Sequence, residues 1–585
     1  MLFVALGLVR RYGTKTFPQG DEVWLLYDAG PGIHLNWLWK TWAEHRIPLA
    51  KLIWKGVLEL TDYDFRAGDF LTVFGLAGIA LVMIWTANRV RGRTILADAF
   101  FPLAALNFGQ AHVFLWWWQV NQVLAPITAG LLLSLLLVCG NNLQPANAAF
   151  VGLGLVLLAL CGPGGFPYVI SLAVWLGIWT AMAWRSLSPS RRKQRLVFLV
   201  PVAIALGLVC FYFVDYTPYF PVNDPPSVSS WPPSPGLLAS AIACLQILGS
   251  SLGTATKPHA ALCGVGILAF SAVTGALLVR TLLDRRAERG RTLALILFLA
   301  ASAMLVLVIG RSRVGMGLDY IYEGHYLTLL VPALCCMYFA WEIRGDIAAR
   351  YVQFGMLAAL AAMLPVNLQH AIHAGRTLRQ ETTAFERDVR NRIPAMVLAE
   401  RHFANDAVPC AEKLDFILRE HKMNGIGIFR EIRDDPPFQI ESVAIETALL
   451  NGMTLREGIA SSTTNGGSLT FTLPSPRYIY AVRLRHAYIK TASAWPALRV
   501  YWRDSRQRDF NEINALVSVV AGPDQPTWAL IDGKIKTDAK VRTDRSLTIW
   551  LDSTIDQFRL HPDSAPCEFR VSKIELLVPV EAKAE

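Results

Sequence analysis

The sequence has few charged side chains for its length. Asp, Glu, Lys and Arg make up 17% of the 585 residues, whereas a typical soluble protein has about 25%. Hydrophobic residues make up 53%, and there are 18 Trp and 28 Phe. This composition excludes a disordered chain and argues against an ordinary soluble enzyme. It is typical of a membrane protein, because aromatic side chains are enriched at the membrane–water interface.

The sequence also lacks a continuous basic block. The net charge is +10, but the basic residues form short clusters between apolar runs. This distribution indicates membrane topology rather than binding to nucleic acid, so we expect no nucleic-acid partner.

Cysteine motifs are absent as well. None of the nine cysteines stands in a CxxC or Cys/His spacing, which excludes the usual zinc and redox motifs. Only Cys410 and Cys567 fall in the polar C-terminal part. In an oxidising compartment they could form a disulfide, but the geometry that a disulfide needs is not visible in a sequence. The pairing therefore stays open.

Long apolar runs dominate residues 1–366, for which we predict a polytopic α-helical domain of about 10–11 spans, since roughly 20 apolar residues cross a bilayer. The apolar stretch 237–252, interrupted by Gln246, Gly249 and Ser250, is expected to lie on the membrane or dip into it. Residues 1–9 are too short to span, which leaves a half-length first helix or a late start open. The predicted spans lie near 70–88, 95–113, 117–139, 148–161, 167–184, 196–214, 259–280, 292–309, 326–341 and 351–366.

The short loops between these spans differ in charge. One alternating set carries 15 Lys and Arg residues, and the other set carries only Lys257, Arg311 and Arg313. The Arg-rich side is predicted to be cytoplasmic. The loops 10–69, 215–258 and 310–325, and all residues after 366, are then expected outside the cytoplasm.

The sequence pattern changes twice in the C-terminal part. Residues 367–436 are predicted to form a helical linker region. From residue 437 to 585, short alternating runs are separated by Pro, Gly, Asn and Asp, which predicts a jelly-roll-like β-sandwich. Trp502, Trp528 and Trp550 could stack on a sugar, but core positions are favoured because Trp is mostly buried.

The first outer loop carries two charged motifs, the acidic pair Asp21-Glu22 and the sequence Glu44-His45-Arg46. Taken alone, an acidic pair is equally compatible with a solvated loop. Several residues between the motifs share helical spacing, which predicts an amphipathic helix at the interface. These residues are His34, Trp37, Leu38, Thr41, Trp42 and His45.

A second candidate site is the outer loop 310–326, GRSRVGMGLDYIYEGHY. Arg311 and Arg313 stand on the Arg-poor side, and nearby glycines allow the backbone to approach a ligand. Arginine binds phosphate through two parallel hydrogen bonds, so this loop suits a lipid phosphate. Ordinary anchoring to lipid headgroups is the alternative.

In their order along the chain, these motifs resemble the GT-C superfamily of integral-membrane glycosyltransferases. The likeness covers about residues 1–366 and includes Asp21-Glu22, Glu44-His45-Arg46 and the aromatic stretch from Phe100 to Gln119. It ends with Gly310-Arg311, Gly315 and Tyr326, where His325 replaces the usual Arg.

The resemblance implies sugar transfer from a polyprenyl-phosphate donor to a glycan or lipid acceptor, on the outer face of a bacterial inner membrane. Asp21 or Glu22 would be the catalytic base. Arg311 would stabilise the leaving phosphate, with Glu44, His45, Arg46 and Tyr326 as further substrate-binding residues. Membrane lipids are the surrounding partners. A divalent metal such as Mg²⁺ or Mn²⁺ on Asp21 and Glu22 is compatible with the family but not required.

Two other functions stay open at this stage. A transporter for a lipid-linked glycan would share the many spans, but should show internal repeats and charged residues inside the spans. A non-catalytic scaffold that presents the C-terminal domain to a glycan would tolerate Asp21→Asn.

Overall fold

The computed structural model describes two compact units, Met1–Ala384 and Phe385–Glu585. The residues that it describes are 1–16, 18, 21–140, 144–184, 199–217, 236–318, 324–402, 411–462, 466–491, 497–504, 507, 509–510, 515–519, 529–531, 534–536 and 545–580.

The first unit is helical. A buried apolar cluster along the helices forms its core, and a second cluster packs α1 against α5 and α7. The helices are α1 (Leu2–Tyr12), α2 (Asp21–Ala29), α3 (Leu35–Trp39), α4 (Pro48–Leu60), α5 (Phe65–Arg91), α6 (Phe100–Ala105), α7 (Ala111–Leu115), α8 (Val120–Cys139), α9 (Pro145–Leu160), α10 (Phe166–Trp184), α11 (Leu199–Tyr212), α12 (Leu237–Ser250), α13 (Ala260–Asp284), α14 (Arg289–Arg313), α15 (Gly324–Arg344) and α16 (Ile347–Arg390).

Among the described residues, six helical segments are long and apolar enough to cross a membrane, so the prediction of a multi-pass membrane domain is confirmed at this level. The predicted spans 148–161, 167–184 and 196–214 form shorter apolar helices. The six segments are Phe65–Arg91, Trp117–Cys139, Thr256–Asp284, Arg286–Arg313, Gly324–Arg344 and Ile347–Arg390.

The predicted span 95–113 was wrong as one continuous helix. The chain there forms α6 and α7, separated by the 3₁₀ turn Phe108–Gln110. The Asn107 side chain accepts a hydrogen bond from the Gly109 backbone, 2.8 Å away, which favours a turn over a helix. A Cβ atom at Gly109 would lie 2.5 Å from the Cα of Gly253. The turn therefore brings two backbones into close contact.

The stretch 237–252 forms α12, about 21 Å long at 1.5 Å per residue. It packs antiparallel along the first half of α13. Glycines make this approach possible: a Cβ at Gly249 would lie 2.0 Å from the Ala260 carbonyl oxygen, and one at Gly264 would lie 1.8 Å from the Leu245 carbonyl oxygen. The stretch is thus part of the helix bundle and is shorter than the hydrocarbon core of a bilayer, about 30 Å.

We expect Gly264→Ala to lower stability by about 1–3 kcal/mol, because the new methyl group has to push two backbones apart. Thermal unfolding of the protein in detergent measures this loss. The matched control is Gly266→Ala on the same helix, where a Cβ would meet nothing within 4 Å. Equal unfolding temperatures for the two variants would contradict the close packing of α12 on α13.

The Arg-rich loops meet at one end of the first unit. Arg91 at the end of α5 donates to Glu342 near the end of α15, with 2.6 Å between the atoms. Arg285 donates to the carbonyl oxygen of Ile343 at 3.0 Å, and Arg291 donates to that of Leu137 at 2.6 Å. The starts of α5, α8 and α15 and the end of α14 are therefore at the opposite, Arg-poor end.

In the second unit, the β-strands predicted from residue 437 onward are confirmed. The helices α17 (Ala395–His402) and α18 (Ala411–Met423) precede the strands. The described strands are β1 (Phe438–Ser442), β2 (Leu449–Asn451), β3 (Thr454–Arg456), β4 (Ile459–Ser461), β5 (Ser468–Thr491), β6 (Ala497–Asp504), β7 (Ala515–Val519), β8 (Ala529–Ile531), β9 (Lys534–Lys536), β10 (Arg545–His561) and β11 (Cys567–Pro579).

All pairings in the main sheet are antiparallel. Its nine described strands run in the order β3-β4-β11-β5-β10-β6-β7, with β1 beside β11 and β2 beside β5, whereas β8 and β9 pair separately. The long strands β5 and β10 pair from Leu469 with Leu560 to His486 with Arg545, through two register shifts. Their apolar side chains form one buried core.

The tryptophans of this unit are packing residues where the structure describes them. Trp550 is buried and stacks on Tyr480, with 5.6 Å between ring centroids. Trp502 packs against the sheet core. Cys567 is buried. Trp528 and Cys410 lie outside the described residues, so whether Cys410 and Cys567 pair stays open.

Candidate functional site

Glu22 of the predicted acidic pair is fixed inside the first unit. Its side chain is buried, and its Oε1 atom accepts hydrogen bonds from the Trp54 indole at 3.1 Å and from the Trp118 backbone at 2.8 Å. Asp21 begins α2, but its side chain lies outside the described part of the structure.

Four tryptophan rings lie between Glu22 and the motif Glu44-His45-Arg46. Trp54 lies between Trp37 and Trp118, with centroid distances of 6.5 and 5.9 Å. Trp118 in turn meets the edge of Trp42 at 6.5 Å. Trp37, Trp42, Trp54 and Trp118 are buried. They pack within the protein rather than serving as interface anchors.

The predicted amphipathic helix over 34–45 was wrong beyond α3, which ends at Trp39. Trp42 and His45 instead exchange two backbone hydrogen bonds of 2.8 Å, forming a tight turn. Ala43 in this turn has a φ of 47°, a left-handed conformation that stops a helix. The turn presents Glu44 and His45.

Glu44 and His45 meet the end of α14. Arg313 forms an ion pair with Glu44, and its Nη2 atom lies 3.3 Å from His45 Nε2. Glu44 Oε1 also lies 3.3 Å from His45 Nε2. Two motifs 268 residues apart in sequence thus form one cluster. Burial lowers the pKa of His45 to about 4, so its imidazole is neutral at neutral pH.

Arg46, a predicted substrate-binding residue, points into the protein. Its guanidinium donates to the carbonyl oxygens of Tyr212 at 2.7 Å, Val214 at 2.5 Å and Asp215 at 2.6 Å, at and just after the end of α11. The side chain is buried. Cations at a helix C-terminus are favourable because of the helix dipole. In this structure Arg46 therefore holds α11 against the first loop.

The residues of the loop 310–326 differ in their burial and surroundings. Arg311 is exposed on the last turn of α14, whereas Arg313 is partly buried in the cluster. Tyr326 near the start of α15 is buried, and its ring lies 4.2 Å from that of His325. Residues 319–323 between these elements lie outside the described part.

Two buried lysines hold the first loop, and sequence reasoning missed both. Lys51 donates to the carbonyl oxygens of Trp37 at 2.9 Å and Lys40 at 2.7 Å. Lys55 donates to the carbonyl oxygen of Gly30 at 2.9 Å. Desolvation lowers the pKa of Lys51 to about 7. The sequence did contain a signal for these residues, namely two lysines four residues apart within an apolar helix, α4.

Asp69 was missed as well. It lies one turn inside α5 and is buried, and its Oδ1 atom has no hydrogen-bond partner among the residues that the structure describes. The helix begins earlier than predicted because the Asp64 side chain accepts from the Arg66 backbone at 3.1 Å. With the span assumed to start at residue 70, Asp69 looked like a loop residue.

The described side chains do not form a metal centre. Among them, no three His, Cys, Asp or Glu residues lie close enough together to hold a metal ion. Oε1 of Glu22 already accepts two hydrogen bonds. The Asp21 side chain lies outside the described part of the structure, so a metal ion held by Asp21 and Glu22 stays an expectation.

The two arginines of α14 give a direct test of the cluster. If the protein transfers a sugar from a polyprenyl-phosphate donor, as the resemblance implies, we expect Arg313→Ala to reduce the rate about tenfold or more, since the variant removes the charged donor beside His45. Arg311→Ala should change the rate less than threefold, because that side chain is exposed. Initial rates with the purified variants measure both. A larger loss for Arg311→Ala would instead favour Arg311, the residue that the resemblance implies for the phosphate.

Comparison with models of protein families finds no matching family, and comparison with curated proteins finds no match.

Proposed function

We propose that the protein is a glycosyltransferase that moves a sugar from a polyprenyl-phosphate carrier to a glycan or lipid acceptor of the cell envelope. The observation that supports this most is the convergence of three separate motifs. Glu22 and the cluster of Glu44, His45 and Arg313 lie at the Arg-poor end of the first unit, linked through Trp118 and Trp42. The resemblance to the GT-C superfamily supplies the reaction.

In the proposed reaction, a carboxylate of the acidic pair takes the proton of the acceptor hydroxyl. The hydroxyl oxygen then bonds to the anomeric carbon of the sugar, and the bond from that carbon to the carrier phosphate breaks. The phosphate leaves with the electron pair. Asp21 is proposed as the base, since Oε1 of Glu22 is engaged with Trp54 and Trp118.

The departing phosphate gains negative charge, which preorganised cations and donors stabilise. Arg313 is held at the cluster by Glu44 and is proposed for this contact in place of Arg311, which is exposed on the same turn of α14.

The proposed location is the inner membrane of a bacterium, with the reaction on its outer face. The Arg-rich loops share one end of the first unit, and the positive-inside rule makes that end cytoplasmic. We also propose that the second unit lies outside the cytoplasm. Its long strands β5 and β10 carry register shifts, which let one sheet bend into a jelly-roll-like sandwich.

One observation favours a transporter for a lipid-linked glycan as a second candidate. Charged side chains are buried in or beside the apolar helices, and such residues often mark transport pathways. Asp69 is buried in α5, and Arg91 binds both Asp98 and Glu342 at 2.6 Å.

Mass spectrometry of envelope glycans from a deletion strain separates these functions. A glycosyltransferase predicts glycans that lack one sugar, restored by the wild-type gene. A transporter predicts complete lipid-linked glycans that accumulate on the cytoplasmic face. Unchanged glycans would contradict both and favour the scaffold.

A further inference from the structure

A cluster of aromatic and charged side chains on the second unit is not part of the site described above. Its members come from three segments of the chain. They are Arg433, which precedes β1, Tyr478 and Tyr480 on β5, and Trp550 and Asp552 on β10. Because β5 and β10 are neighbours in the sheet, residues that are far apart in the sequence meet here.

The five side chains form a closed ring of contacts. Arg433 lies over the Trp550 ring at 5.6 Å, and Trp550 stacks on Tyr480 with 5.6 Å between ring centroids. Tyr480 meets Tyr478 edge to face, also at 5.6 Å. The Tyr478 hydroxyl donates to Asp552, and Asp552 forms an ion pair with Arg433 at 3.3 Å. Each side chain is therefore fixed by two neighbours.

The backbone at Asp552 has an unusual conformation. Its φ is 50°, a left-handed value that is uncommon for residues other than glycine. Asp552 lies in the register shift between Trp550 and Ser553, a β-bulge of β10 against β5. Bulges often re-aim a side chain beside a functional site, and strained backbone is concentrated at such sites. This bulge aims the Asp552 carboxylate at Tyr478 and Arg433.

The Tyr478 ring stays open to solvent although its contacts fix it. Tyr478 is 41% exposed, and the side chains of Asp552 and Arg433 are 34% and 35% exposed. Desolvation and the bond to Asp552 raise the pKa of Tyr478 to about 12, so its hydroxyl stays protonated and keeps donating at neutral pH. The surface thus presents a rigid aromatic ring beside an exposed ion pair.

This combination matches the chemistry of a sugar ring. A sugar has an apolar face of C–H groups, which packs on an aromatic ring, and a rim of hydroxyl groups that both donate and accept. Arg433 supplies donors and Asp552 supplies acceptors, and hydrogen bonds with a charged partner are the stronger kind. The opposite charges of Arg433 and Asp552 cancel, which favours a neutral ligand. Because these groups are already held in place, binding costs little further ordering.

A protein partner fits this surface less well. A stable protein–protein interface buries about 1,200–2,000 Å², and its centre is depleted in charged side chains. Here one exposed ring stands directly beside two charged side chains.

We propose that Tyr478, Asp552 and Arg433 form a binding site for a neutral saccharide. The sugar ring packs on Tyr478, and its hydroxyl groups bind Asp552 and Arg433. Trp550, which the sequence offered for a sugar contact, is buried and supports Tyr480 instead. The assignment of this saccharide as part of the acceptor glycan rests on the proposed function.

Binding of the purified full-length protein, in detergent, to an array of immobilised oligosaccharides tests this site. The array carries neutral chains of hexoses, pentoses and N-acetylated amino sugars, with acidic chains alongside. We expect binding to at least one neutral chain, and the soluble form of that oligosaccharide is then the probe for titration calorimetry. Binding to none of the chains, or to acidic chains alone, would overturn the proposal.

Three variants assign the binding to these residues. Tyr478→Ala removes the ring, and Asp552→Asn removes the charge but keeps a residue that tolerates a left-handed backbone, so each should weaken binding about tenfold or more. Tyr478→Phe keeps the ring and should bind within about threefold of the wild type. Phe416→Ala, which removes an aromatic side chain that is 51% exposed on α18, is the matched control and should bind like the wild type. Gel filtration and thermal unfolding establish that each variant is folded.

Unchanged binding by folded Tyr478→Ala and Asp552→Asn would overturn the site. The rate of sugar transfer is a separate readout. If the wild type binds the oligosaccharide and Tyr478→Ala does not, but no sugar is transferred, the site stands and the proposed function fails. If transfer occurs while the wild type and all variants bind the oligosaccharide equally, the proposed function stands and the site fails.

Discussion

Asp21→Asn should reduce sugar transfer by a factor on the order of a hundred or more, while the protein keeps its yield and its unfolding temperature. The substitution preserves the size of the side chain but removes the group that accepts the proton, and general-base catalysis typically contributes about 10²–10⁴-fold. The measurement is the initial rate of transfer by purified protein from a polyprenyl-phosphate donor. A near-normal rate for folded Asp21→Asn would remove this residue from the mechanism.

Glu22 provides the matched control for Asp21. Glu22→Gln keeps an acceptor oxygen for the Trp54 indole and the Trp118 backbone, so we expect a smaller loss of rate than for Asp21→Asn. Glu22→Ala leaves both donors unpaired, at about 1–3 kcal/mol for each buried group, and should lower the unfolding temperature. If Glu22→Gln lost as much rate as Asp21→Asn without unfolding, both acids would belong to the chemistry.

The membrane character of the first unit could be predicted because it depends on composition and length. The interruptions within the span 95–113 could not be predicted, since the apolar composition of this span resembles that of its neighbours. Its breaks depend on one side-chain hydrogen bond, from Gly109 to Asn107, and on the contact of Gly109 with Gly253. Such tertiary contacts between distant residues leave no periodic signal in a sequence.

The choice between Arg311 and Arg313 shows a similar limit. Successive residues of an α-helix are about 100° apart, so residues two positions apart face nearly opposite directions. The motif pointed to the last turn of α14, which carries both arginines. Which arginine points at Glu44 depends on how that helix is rotated within the bundle, and only the packing of the helix determines this.

Arg46 shows how a motif residue can be structural. Glu44, His45 and Arg46 are adjacent in sequence, and the resemblance implies substrate binding for all three. In the structure the turn through Ala43 presents Glu44 and His45 to Arg313, while Arg46 donates to carbonyl oxygens at the end of α11. These two roles make different predictions about stability.

Arg46→Ala should destabilise the protein by about 3 kcal/mol or more. The guanidinium donates to the carbonyl oxygens of Tyr212, Val214 and Asp215, and to the Thr41 hydroxyl at 3.3 Å. Hydrogen bonds with a charged partner contribute about 1.5–3 kcal/mol each, although such contributions are not additive. Truncation also leaves these carbonyl groups without a donor. Thermal unfolding in detergent, with Arg311→Ala as the exposed control, measures the difference.

Arg46→Lys distinguishes the anchoring role from substrate binding. Lysine keeps the charge, but a single ammonium cannot reproduce the planar fork that reaches three carbonyl oxygens, so the unfolding temperature should fall between those of the wild type and Arg46→Ala. Because Arg46 acts here through α11 and not on the substrate, transfer per folded molecule should stay within about threefold of the wild type below the unfolding temperature. An Arg46→Lys protein with normal stability and a large loss of transfer would instead place Arg46 at the substrate, as the resemblance implies.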